Sequence, residues 1–254
     1  MFPLIKKLIG YIPDKKLNVY FGVEVAQCYP IDLYIPLLIL RDFIRAGHCI
    51  TILLADIHSI LRRQSSMNDI EQLTSDCCKL LKHCMKNIGV RPDEFTVEIG
   101  SQRQLDRRYN IDLYRLLSLV DAEEAYQAFT NIDDQLNYSS RVVYPLMQLL
   151  DETIFDTDLQ IGSEENTGIF LLGRKYKTQL GYKKTSYAIY EKTHLKIHIG
   201  YKYDLNDFSL EELRLLYSCV VKHIFGKKTL RDKKSAVEIL TPIINNNLCN
   251  FYTT

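Results

Sequence analysis

The sequence predicts an α/β fold, a parallel sheet with helices on both faces, followed by a short C-terminal helical segment. Three observations carry this. Short runs rich in Val, Ile and Leu, at residues 17–22, 49–54 and 95–99, alternate with longer stretches of helical period. No Gly/Ser/Pro-rich linker, repeat or low-complexity tract breaks the chain. With 46% apolar residues over 254 positions, the chain can bury one large core, or one core and a small appendage.

Taken in order, residues 17–22 read as the first strand, 31–46 as a helix and 49–54 as a buried strand. Residues 67–88 read as a helix, because Ile70, Leu73, Cys77, Leu80, Cys84 and Ile88 form one apolar stripe. That stripe absorbs two cysteines, and the adjacent Cys77 and Cys78 would point about 100° apart on a helix. The set Cys77, Cys78, His83 and Cys84 is therefore read as structural, and no metal is expected. A strand follows at 95–99, then helices over 106–136, a helix carrying Tyr144 to Asp151, and a strand near 158–161. Residues 195–200 alternate as a half-exposed strand would. Beyond Asp204 the pattern is helical, at 209–225 and 233–245, so the expected division is 1–204 and 205–254.

Charge narrows the function classes. The net charge is +1, which gives no bulk attraction to nucleic acid or to a membrane surface. The lysine-rich run 226–234 is read as a solvated helix start rather than a site for RNA phosphates. Seven cysteines, with no export segment or long apolar run, fit a reducing, cytoplasmic compartment. No membrane association is expected.

The informative constellation is polar. If residues 144–151 are helical, Tyr144, Gln148 and Asp151 fall at i, i+4 and i+7 on one face of an otherwise apolar helix. Burying a phenol, an amide and a carboxylate together is costly unless something pairs with them. Upstream stand Tyr20-Phe21-Gly22-Val23-Glu24 and Ala55-Asp56-Ile57-His58, and downstream Gln160 and Glu165-Asn166. In order and spacing these segments resemble the tyrosine pocket of archaeal and eukaryotic tyrosyl-tRNA synthetases, class I enzymes with a Rossmann-like catalytic domain. That pocket comprises a tyrosine in the first strand, an A-D-x-H stretch, a Y-P-x-x-Q-x-x-D helix and a G-G-x-D-Q loop. The resemblance covers residues 17–182, with a weaker echo near the C-terminus. It implies that Tyr20 and Asp151 bind a substrate phenol and that Tyr144 and Gln148 hold its ammonium. Glu24, Asp56 and Gln160 complete the expected set. Asn166 stands where the family has glutamine. The substrate implied is L-tyrosine or a tyrosine-like ligand.

The nucleotide half departs from the family. The HIGH-type tetrapeptide position holds Pro30, Ile31, Asp32 and Leu33, with no gap, since Tyr20 and Pro36 bracket it at the family spacing. Both histidines are lost. The loop glycine is Gln27, expected to fill the adenine's place, and Asp32 is expected to face the polyphosphate. Two like unit charges ~4 Å apart repel by about 4 kcal/mol at an effective dielectric of ~20. His198-Ile199-Gly200-Tyr201 spells most of the lost tetrapeptide but follows the pocket instead of the first strand, so it is read as a decoy. No KMSKS-type loop occurs, and Lys192-Thr193 is at best its remnant. Glu165 keeps one candidate ribose contact.

The expectation is a synthetase-like pseudoenzyme, sensor or interaction module, which holds tyrosine without ATP-dependent activation and uses no cofactor. A homodimer joined through residues 106–140 is implied by the family, and tRNA binding is left open. The alternative is a divergent, active tyrosine–tRNA ligase, using ATP with Mg and lysines such as Lys192 or Lys196. A cyclodipeptide-synthase-like enzyme would need a serine near the end of the first strand, where Val23, Glu24, Val25 and Ala26 stand.

Overall fold

A computed structural model describes residues 4–62, 69–129, 138–193, 195–199, 201, 203–225, 230 and 232–248. Strand β1 is Lys7–Ile9 and β2 is Asn18–Glu24, followed by helix α1, Tyr34–Arg45. Strand β3 is Cys49–Ala55, α2 is Asp56–Leu61 and α3 is Ile70–Asn87. Strand β4 is Thr96–Ile99, leading to α4 (Ser101–Gln104), α5 (Arg107–Leu119) and α6 (Ala122–Phe129). Helix α7 is Ser140–Ile154, β5 is Leu159–Ser163, α8 is Thr167–Tyr176 and β6 is Ser186–Tyr190. Helices α9 (Leu210–Leu216), α10 (Lys222–Phe225) and α11 (Lys233–Pro242) follow. Among the described residues no helix is long and apolar enough to cross a membrane.

The six strands form one sheet in the order β1-β6-β5-β2-β3-β4. The five strands β2 to β6 run parallel, as the Val/Ile/Leu-rich runs predict for β2 to β5; β6 was not expected from the sequence. The sheet is nonetheless mixed, because β1 pairs antiparallel with β6 at the edge. Three residues carry too little periodicity to announce such a strand. The residues predicted as a strand at 195–200 make only a single bridge, His198 to Pro30; Gly200 lies outside the described residues. Leu195, Ile197 and Ile199 all point into the core, so the alternation came from a docked extended segment.

Two cores flank the sheet. On one side Val19, Phe21 and Val23 of β2 pack with α1, α3 and the C-terminal helices; on the other, α5, α6, α7 and α8 pack together. Helix α1 is buried nearly all round, including Leu37, Leu38, Ile39 and Leu40. A helix apolar on every face needs a second cover, and the C-terminal helices supply it. Leu213, Leu216, Val220, Ala236, Leu240, Ile244 and Leu248 all join that same core. Arg41 donates to the His223 carbonyl (3.0 Å) and Asn87 to the Asn247 carbonyl (2.8 Å). The segment after residue 204 is helical, and it completes the main core instead of building its own. The lysine-rich run 226–229, Lys202 and part of the predicted interface, 130–137, lie outside the described residues.

Candidate amino-acid site

In β2, Tyr20, Gly22 and Glu24 share the face opposite Val19, Phe21 and Val23, by the period of two. Their face meets α2 and α7 where the order of the sheet reverses, between β2 and β5, with Tyr20 beside Gln160 in register. Ligands of open α/β sheets bind at such switch points, beyond the strands' carboxyl ends. A cavity of about 340 Å³ lies there, lined by Tyr20, Glu24, Tyr144, Gln148, Asp151, Gln160, Glu165 and Asn166 among others. Gly22 keeps it open, because a Cβ there would come within 2.9 Å of the Tyr20 hydroxyl.

One end of the cavity is built around Asp151, which is 1% exposed. Its Oδ1 accepts from Gln104 Nε2 (2.8 Å) and from the Tyr109 hydroxyl (2.9 Å). Its Oδ2 has no hydrogen-bond partner, and neither do the buried His58 Nε2 and Gln160 Oε1. Burial pushes the Asp151 carboxyl up to about 7, against the opposing pull of its two donors. Burial holds His58 down at about 3, so its 3.6 Å approach to Asp151 is a contact between a neutral imidazole and a carboxyl, not an ion pair. The phenols of Tyr20 and Tyr109 are raised, first by burial and then by the Asp151 charge. Orphaned acceptors of this kind each cost about 1–3 kcal/mol unless a donor arrives. A ligand hydroxyl would supply one.

The other end is ionic. Arg62 NH1 meets Glu24 Oε2 at 2.7 Å, and both residues line the cavity. Tyr144 packs edge-on against His58, with ring centroids 4.5 Å apart. Its phenol is raised by burial and next by Glu24, with Arg62 acting in the opposite direction.

The side of the cavity where the resemblance would place a nucleotide carries contacts within the chain. Asp32 is buried, and its carboxylate accepts from the Thr193 amide (2.8 Å) and the Thr193 hydroxyl. Ile31 N–H donates to the Ile197 carbonyl (2.7 Å) and Ile199 N–H to the Tyr29 carbonyl (2.8 Å). Glu165, the candidate ribose contact, is ion-paired with Lys192. The Tyr29 hydroxyl donates to the Glu24 carbonyl (2.7 Å) and accepts from Ala26 N–H (3.1 Å), pinning the loop between them.

Three expectations are corrected. Asp56 does not line the cavity: its Oδ1 accepts from Ser101 N–H (2.8 Å) and secures the turn into α4. Gln27 is exposed and stands outside the lining, so it does not fill an adenine site. Asp32 lines the cavity, but its carboxylate is already engaged there, both oxygens accepting from Thr193. Asn166 lines the cavity, but its Oδ1 accepts from the Ser163 amide and hydroxyl (both 3.1 Å) as a helix cap. The cations of this lining, Arg62 and Lys192, are each already paired with a carboxylate.

Sequence reasoning missed Gln104, Tyr109 and Arg62. Gln104 and Tyr109 reach Asp151 from 47 and 42 residues away, and no local pattern marks them. The thiols read as structural are so placed: Cys84 is in the core and Cys77 donates to the Ala26 carbonyl (3.3 Å).

Known proteins match this description. The family model of class I tRNA synthetases (W and Y) matches residues 14–199. A probable cytoplasmic tyrosine–tRNA ligase of Encephalitozoon cuniculi is 35% identical over 70% of this chain and 54% of its own length. The cytoplasmic tyrosine–tRNA ligase of Danio rerio is 31% identical over 72% of this chain and 35% of its own length. The chain thus spans about half or less of these two ligases. The crystal structure of the Archaeoglobus fulgidus tyrosyl-tRNA synthetase complexed with L-tyrosine superposes with a TM-score of 0.65 at 24% identity, covering 78% of this chain and 59% of that one. At that identity the likeness is one of fold.

Proposed function

Since this chain belongs to the class I tRNA synthetases of the tryptophan and tyrosine type, we propose that it binds tyrosine, or a tyrosine-like ligand, without activating it with ATP. The observation that carries this reading is the contrast between the two halves of one cavity. At the phenol end, Asp151 Oδ2 and Gln160 Oε1 are buried and await donors. At the nucleotide end, Asp32, Glu165 and the loop at Tyr29 are satisfied within the chain. Unmet hydrogen bonds stabilise a bound ligand when it arrives, whereas met ones must first be broken. In this reading the protein is a sensor or interaction module derived from a ligase, cytoplasmic like the relatives above. It is a homodimer, which the exposed Ile111, Tyr114 and Leu117 along α5 support.

An active tyrosine–tRNA ligase is the second reading, favoured by the shared function of the curated relatives. It requires ATP and Mg, with Lys192 or Lys196 in place of the lost signatures. Tyrosine-dependent exchange of labelled pyrophosphate into ATP separates the two. The expected result is no exchange above a Tyr20→Phe, Asp151→Ala control, while tyrosine raises the melting temperature of the wild type. Exchange above that control overturns the proposal in favour of the ligase.

A further inference from the structure

The Glu24–Arg62 pair stands where other contacts also hold the fold. Glu24 ends β2 and Arg62 follows α2, elements already joined by the sheet and by the Ser59 hydroxyl on the Val25 carbonyl (2.5 Å). The two side chains are about one-fifth exposed, at 18% and 20%, and both face the cavity. Glu24 lies four residues beyond Tyr20, roughly 13 Å along the same face of β2. Arg62, which caps the end of α2, lies four residues beyond His58, about one helical turn along. The phenol end and the ionic end border one cavity, and the Tyr144 phenol lies in the field of Glu24, Arg62 and Asp151.

An ion pair presented to a cavity has no net charge and selects neither anions nor cations. It suits a ligand that brings one charge of each sign. The ammonium of a zwitterion can sit on the Glu24 carboxylate while its carboxylate takes the planar guanidinium fork, so that every charge keeps an opposite neighbour. A ligand with only one of the two charges competes with one member of the pair and leaves the other without compensation. A carboxylate paired with guanidinium is also stabilised in its unreacted form.

Resting on the tyrosine-binding reading above, we infer that Glu24 and Arg62 read the zwitterionic backbone of the ligand, with Arg62 on the α-carboxylate. The ligand is then a free p-hydroxyphenyl α-amino acid, not an ester, amide or adenylate of one. Arg62 is a specificity-determining residue that neither the Tyr144–Asp151 helix nor the strand motif reveals.

The test is calorimetric titration of the full chain with L-tyrosine, L-tyrosine methyl ester, tyramine and 3-(4-hydroxyphenyl)propionate. The proteins compared are the wild type, Arg62→Met, Arg62→Lys and Asp151→Asn. The wild type is expected to bind tyrosine at least tenfold more tightly than the other three compounds. Arg62→Met should weaken tyrosine at least tenfold and change the methyl ester less than twofold, and Arg62→Lys should fall between. Melting temperatures of the free variants identify any that misfold, and Arg62→Lys keeps the charge should Arg62→Met do so. Equal loss for tyrosine and its ester, or no loss for either, overturns the role of Arg62 while leaving the phenol pocket standing, provided Asp151→Asn weakens both. If no phenolic compound binds the wild type, the tyrosine reading and this inference fall together.

Discussion

Asp151 shows how much a single buried carboxyl can govern. Its folded pKa of about 7 lies above the value near 3.8 of the unfolded chain. Between those pH values the native state keeps a proton that the unfolded chain releases, so this contribution to stability is present near pH 4 and is lost as the pH rises through 7. His58 acts in the opposite sense. Held at about 3 against an ordinary 6.5, it contributes stability above pH 6.5 that is lost as the pH falls toward 3. Urea midpoints of the wild type and Asp151→Asn should therefore diverge with pH. The wild type should lose ground to the variant steadily from pH 4.5 to 7.5, and the gap should stop changing above pH 8. A gap independent of pH would mean that Asp151 is ionised throughout. Asp151 itself was legible in the sequence, because a carboxylate on the same helical face as Tyr144 and Gln148 has no apolar explanation. Its partners Gln104 and Tyr109 were not, since what fixes them is where α4 and α5 come to rest.

At the scale of elements, the segment after β6 is the decisive piece. Its alternating sequence predicts a strand, yet it lies across the turn before α1 on two backbone hydrogen bonds and the Asp32 carboxylate. Asp32→Ala should release that carboxylate anchor. Hydrogen exchange at the Thr193 amide is expected to accelerate at least tenfold, while the melting-temperature rise on adding tyrosine stays within about a degree of wild type. Unchanged protection at Thr193 would show that the backbone bonds to Tyr29 and Ile31 suffice. The sequence identified Asp32 as a departure from the family pattern but gave it an electrostatic role toward phosphate. Thr193 is 161 residues away, and only the folded chain brings it there.

For the molecule as a whole, the buried and exposed faces of two helices tell the longer-range story. Helix α1 is buried nearly all round because the sheet covers one side and the C-terminal helices the other. Helix α5 buries Tyr109, Leu113 and Leu116, yet leaves Ile111, Tyr114 and Leu117 in solvent, with Leu105 beside them. Light scattering after gel filtration should give the mass of a dimer for the wild type and of a monomer for a Tyr114→Glu, Leu117→Glu variant. A monomeric wild type would remove the homodimer from the proposed function.

The sequence by itself determined the alternation of strands and helices from β2 to β5 and the polar face of α7, because periodicity records which side of an element meets apolar neighbours. It also carried the family, through motifs whose spacing survives in Tyr20, Tyr144, Gln148 and Asp151. Tertiary structure alone decided the pairs: Arg62 with Glu24, Thr193 with Asp32, Tyr109 with Asp151, and β1 antiparallel on β6. A hydrogen bond or ion pair depends on atoms meeting within about 3 Å, and periodicity within an element carries no record of which distant element will stand opposite.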